Sequence, residues 1–130
     1  MEEIFEEIGL LVGPMLKRRM FVALSEPAGP PEAELPLLPE HLRHLIGLEQ
    51  QGALFAGGPF LEGGEPGQRA MYIIRAGSEA EARAIMAEEP YHKRGMRTFT
   101  VHEWSLNQGR ITLQVDFSSQ KAGVDGHPAP

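Results

Sequence analysis

The chain has 130 residues, 42% of them hydrophobic, which suits one domain built around a single core. It contains no cysteine, so a disulfide framework, a thiolate nucleophile and any cysteine-ligated zinc or iron–sulfur centre are excluded. A formal net charge of -6 and a pI near 5.3 argue against a nucleic-acid surface, which needs clustered Lys and Arg to displace counterions.

The first residues, MEEIFEEIGLLVGP, begin with Glu2, Glu3, Glu6 and Glu7, whereas a secretory signal begins basic and turns apolar. Ile4, Phe5, Ile8, Leu11 and Val12 recur at helical spacing. They predict an amphipathic helix, ended by Gly13 and Pro14, that docks on the body or on a partner chain. Lys17, Arg18 and Arg19 form the one compact basic run and read as a solvated flank of the strand that follows. No apolar run approaches the roughly 20 residues that span a bilayer, so no membrane association and a cytoplasmic location are expected.

A first strand is predicted over Met20 to Ser25, followed by a Pro/Gly-rich loop from Pro27 to Pro39. A helix follows from Glu40 to Gln51, with Leu42, Leu45 and Ile46 on its apolar stripe and Gly52 as its stop. Leu54 to Phe60 reads as the second strand, the glycine-rich LEGGEPGQ as a hairpin-like loop, and Arg69 to Ala76 as the third strand. In that strand Met71 and Ile73 share one face, and Tyr72 and Ile74 the other. Ser78 and Glu81 match a capping box, so the second helix starts at Ser78, and Pro90 stops it. Met96 to Trp104 is the fourth strand, Ile111 to Phe117 a candidate fifth, and the polar stretch from Ser118 to Pro130 a flexible tail. The order β-α-β, β-α-β predicts a ferredoxin-like α+β domain over residues 20–117, with both helices on one sheet face. The alternation suggests that Tyr72, Ile74 or Trp104 makes the other face apolar, which predicts a homodimer or a higher even homo-oligomer.

The residues able to carry acid–base chemistry cluster in two segments. HLRH puts His41 and His44 on adjoining sides of the first helix, which supplies half a metal site at most, so no metal and no cofactor are expected. The glycines of AGGPF and LEGGEPG precede a strand and do not form a dinucleotide fingerprint. Glu89, at the predicted end of the second helix, would meet the negative end of the macrodipole and tend to keep its proton. Tyr91 and His92 follow it directly.

The blocks MFVALSE, EHLRHLIGLEQQG, LFAGGPF, SEAEARAIMAEEPYHKRGM and TFTVHEW, in this order over roughly residues 20 to 108, resemble the YCII-related family. The resemblance implies a dimeric α+β barrel of the architecture of muconolactone isomerase. It also implies a site built on a histidine of the first helix and an acidic residue before Pro-Tyr or Pro-Phe. By position these are His41 and Glu89, as catalytic residues; the family usually carries aspartate where this chain has Glu89. His44, Tyr91 and His92 are the candidate substrate-binding residues. The function expected is a small cofactor-free enzyme, a lyase or isomerase acting on a cyclic or aromatic-derived metabolite, with His41 as acid/base and Glu89 as its partner. The alternatives are a module that binds a small molecule without turning it over, and a purely structural dimer module.

Overall fold

A computed structural model describes residues 1–127. In chain order the elements are α1 (Glu2–Val12), β1 (Arg18–Pro27), a 3-10 helix (Pro31–Leu37), α2 (Leu38–Gln50), β2 (Leu54–Glu62), β3 (Glu65–Ile74), α3 (Glu79–Ala87), α4 (Pro90–Lys93), β4 (Arg97–Leu106), β5 (Leu113–Asp116) and β6 (Lys121–Val124). The chain forms two units: Arg18–Leu106, and Met1–Lys17 together with the residues from Asn107 onward.

The Arg18–Leu106 unit is the expected ferredoxin-like βαββαβ fold, with a four-stranded antiparallel sheet in the order β2-β3-β1-β4. Alternation along the strands divides its two faces. Phe21, Ala23 and Ser25 of β1 lie opposite Ile74, Tyr72 and Ala70 of β3, and all six are buried. Ala82 and Met86 of α3, four residues apart and thus on one side of the helix, complete this core with Val101 of β4. The face opposite holds Val22 and Leu24 of β1 against Ile73 and Met71 of β3, with Trp104 of β4. Tyr72 and Ile74 therefore belong to the helix-covered face, and the expectation that they belong to the other one is corrected. Alternation divides a strand into two sets but does not say which set the helices cover.

The ends of the elements follow local chemistry. Ser78 caps α3 by accepting a hydrogen bond from Glu81 N at 3.1 Å, and the Glu81 carboxylate reaches back to accept from Gly77 N at 2.8 Å. The expected long loop between β1 and α2 contains a turn-rich helix, Pro31–Leu37, since prolines at 30, 31 and 36 suit short 3-10 geometry. α2 starts at Leu38, with Pro39 in its first turn where a missing N–H is harmless.

The second unit holds α1, whose residues are all exposed, and the β5–β6 hairpin, in which Leu113 pairs with Val124. The predicted fifth strand is thus shorter than expected and pairs with the stretch predicted as tail, where Lys121–Val124 is a strand. Residues 128–130 of that predicted tail lie outside the described residues. Among the described residues no helix is long and apolar enough to cross a membrane.

Candidate active site

Glu89 is the centre of the site, and its position corrects the sequence reading. α3 ends at Ala87, and a new short helix, α4, begins at Pro90. Glu89 thus has the extended backbone expected before proline, with φ -64 and ψ 133, and serves as the N-cap of α4. Its Oε2 accepts from Tyr91 N at 3.1 Å and from His92 N at 3.3 Å. The carboxylate meets free amides instead of free carbonyls, the reverse of the expected C-terminal environment.

Two imidazoles complete its shell. His41 Nδ1 bonds Oε1 and His92 Nδ1 bonds Oε2. Burial of Glu89, which is 0% exposed, pushes its pKa up, but the hydrogen bonds and charge attraction of His41 and His92 outweigh it and hold the carboxyl at about 2. Glu89 is therefore an anion at neutral pH and can only accept. Each facing Nδ1 must then carry a hydrogen, which leaves Nε2 of a neutral imidazole as its basic nitrogen.

The two Nε2 atoms have different surroundings. That of His92 lies 2.7 Å from Ser25 Oγ, which in turn accepts from Arg97 Nε at 2.8 Å. Arg97 is fixed by both carboxylate oxygens of Glu34, each at 3.1 Å, and by the carbonyls of Ser25 and Gln68. Since Nδ1 of His92 carries the hydrogen that faces Glu89, Nε2 of a neutral ring accepts from the Ser25 hydroxyl. Ser25, His92 and Glu89 have the order of a nucleophile triad, but Ser25 is buried and borders a cavity of ≈ 200 Å³ with Leu24, Phe60 and Phe99, separate from the two that His41 lines. These groups form one hydrogen-bonded chain that ends on Glu89.

His41, in contrast, reaches open space. Its Nε2 has no hydrogen-bond partner among the described residues, and the residue lines two cavities of ≈ 320 and ≈ 250 Å³. Both are also bordered by Leu42, Pro59 and Tyr72. The first runs along the apolar side of α2 past Leu45 and Leu54; the second reaches Glu34, Tyr91 and Arg97. Tyr91 stacks on the His41 ring, with centroids 4.2 Å apart and planes 16° from parallel, and its hydroxyl donates to the Glu34 carbonyl at 3.0 Å.

Of the sequence candidates, His41, Glu89, Tyr91 and His92 come together. His92 is enclosed and committed to Glu89 and Ser25. His44 borders neither cavity, and its Nε2 is buried without a partner. Sequence reasoning missed Ser25, Glu34, Tyr72 and Arg97. The signal available was polarity at strand positions in phase with the core: Ser25 follows Phe21 and Ala23, and Arg97 precedes Phe99 and Val101. Among the described residues no three His, Asp or Glu side chains group to hold a metal ion.

The ferredoxin-like sheet, with His41 of α2 held against the buried Glu89, places the chain among small α+β proteins with a βαββαβ core. The chain belongs to the YCII-related family, whose domain matches residues 20–105. Among solved structures it is similar to 5-chloro-2-hydroxyhydroquinone dehydrochlorinase from Burkholderia phenoliruptrix AC1100, determined in complex with 2,5-dihydroxybenzoquinone. The TM-score is 0.53 at 22% identity, covering 65% of this chain and 93% of that one, which is a likeness of fold. Comparison with curated protein sequences gives no match.

Proposed function

We propose that the chain binds a small, planar, hydroxylated ring compound beside His41 and moves protons on it, as a lyase or isomerase that uses its own side chains. The observation that carries this reading is the asymmetry of His41: Nδ1 is fixed to a buried carboxylate, while Nε2 has no partner among the described residues and the residue lines a cavity with apolar walls. Such an imidazole can take a proton at Nε2, and the resulting imidazolium is stabilised by the Glu89 anion. Glu89 itself, held at about 2, stays ionised throughout and orients the ring.

The structurally similar dehydrochlorinase suggests the reaction to try first. For a chlorinated trihydroxybenzene, His41 would move a hydroxyl proton to the chlorine-bearing carbon, giving a keto tautomer. It would then take a second hydroxyl proton as the C–Cl bond breaks with its electron pair on chloride. The net loss is HCl and the product is a hydroxyquinone; the chloride carries away the electron pair, so no external oxidant is needed. Incubation of the protein with 5-chloro-2-hydroxyhydroquinone should release chloride in proportion to protein, with quinone absorbance appearing in parallel. Saturable binding of the compound with no chloride release above the protein-free rate would favour the reading of a binding module.

We also propose that a second copy of the chain covers the sheet face opposite the helices. Leu24, Phe60 and Trp104 stand there more than a third exposed, with Met71 and Ile73 between them. Light scattering should report twice the 14.3 kDa chain mass or an even multiple. A monodisperse monomer at micromolar concentration would remove the basis for this covering.

A further inference from the structure

We propose that Tyr72 is a ligand-binding residue of this site, its hydroxyl donating a hydrogen bond to a carbonyl or phenolate oxygen of the ring compound held beside His41. This rests on the reading of the cleft as a ring-binding site and adds the group that recognises the ligand's oxygen.

Tyr72 lies on β3 between Ala23 of β1 and Gly57 of β2, pointing to the helix-covered face. The residue is only 4% exposed, yet its hydroxyl makes no hydrogen bond among the described residues. A phenylalanine would fill the same space, so packing of the core alone gives the hydroxyl no role. The hydroxyl is not sealed in protein: the one fully enclosed side-chain polar atom without a partner among the described residues is His44 Nε2. Tyr72 lines both cavities that His41 lines, so the two residues border the same space.

The ring is held there by β2. A Cβ added at Gly57 would stand 2.6 Å from Tyr72 Cδ1, so the absence of a side chain at Gly57 makes the room the ring occupies. The hydroxyl also keeps its proton: burial first, and then the charge of Glu89, push its pKa up to about 12. A neutral phenol and an imidazole with a free Nε2 on the same cavities pair a donor with a proton acceptor. As His41 removes a proton and negative charge grows on a ligand oxygen, Tyr72 supplies the donor that stabilises it.

The test is isothermal titration calorimetry with 2,5-dihydroxybenzoquinone on wild-type chain and Y72F. A donor to a charged oxygen is worth roughly 1.5–3 kcal/mol, so Y72F should bind about 10- to 150-fold more weakly. Its melting temperature should stay level. Equal affinity of the two proteins would overturn the role of Tyr72 alone. Absence of binding by the wild-type chain would overturn the ring-binding reading of the cleft, and the Tyr72 proposal with it. Should Y72F fold poorly, the wild-type protein labelled with carbon-13 at the tyrosine ring decides. The Tyr72 ring carbon bearing the hydroxyl should shift on addition of the probe, and an unmoved signal in the presence of saturating probe would count against the donor.

Discussion

Replacing His41 with Ala is expected to reduce turnover by about 10²–10⁴-fold, the usual contribution of one positioned acid or base. Glu89→Gln should fall in the same range for a connected reason. Glu89 accepts four hydrogen bonds, two from imidazole Nδ1 atoms and two from amides. A glutamine has one acceptor oxygen, so its NH₂ would face a donor at His41 or His92 and force at least one imidazole into the other tautomer. A His41 whose proton sits on Nε2 presents a donor to the ligand in place of a base. The two side chains therefore act as one unit, and the double variant should be little worse than the more damaged single one. Glu89→Asp, which keeps the carboxylate that only accepts, should retain much more activity than Glu89→Gln. Chloride release from 5-chloro-2-hydroxyhydroquinone, or any turnover found at this site, measures all four variants. Losses that multiply independently would show that His41 works without Glu89.

The fold was legible because its evidence is repeated. Strand and helix patterns alternate twice, Ser78 and Glu81 mark one helix start, and the glycine-rich link between β2 and β3 marks the joint of the two halves. The pairing of His41 with Glu89 was legible through the family resemblance, although 48 positions separate them in sequence. The charge state of Glu89 was not. A helix end read from local pattern predicted free carbonyls around it, and that reading took Pro90 as a stop when it is also the first residue of α4. Ending α3 at Ala87 and not at Glu89, with a new helix starting at Pro90, reverses the sign of the field at the carboxylate. Tyr72 was missed for a different reason: a tyrosine on an alternating strand reads as packing, and only the absent hydrogen bond marks it as something else. The β5–β6 hairpin escaped because Lys121–Val124 has too few apolar residues to announce a strand before its partner is known.

Acid should destabilise the wild-type protein more steeply than Glu89→Gln. The Glu89 carboxyl has an ordinary pKa of 4.5 and is held at about 2 in the folded chain, so the folded state favours the ionised form. The stabilisation is fully present above 4.5, where both folded and unfolded chains are ionised at this position. As pH falls from 4.5 toward 2 the unfolded chain takes up the proton first, and the advantage of the fold is lost progressively until both states are protonated. With about 1.36 kcal/mol per pKa unit, the lowering corresponds to roughly 3 kcal/mol of stability at neutral pH. That is a large share of the roughly 5–15 kcal/mol that holds a typical domain together. Glu89→Gln removes the titrating group and leaves the other carboxylates in place. Urea midpoints taken between pH 7 and pH 2.5 should therefore show the variant less stable at pH 7, with the gap closing as the pH drops below 4.5. His41→Ala removes the hydrogen bond that lowers the Glu89 pKa most, so the remaining shift should be smaller and the loss of stability should be confined to a narrower window. A gap between wild type and Glu89→Gln that stays constant down to pH 2.5 would mean that Glu89 is not held as an anion between the two imidazoles.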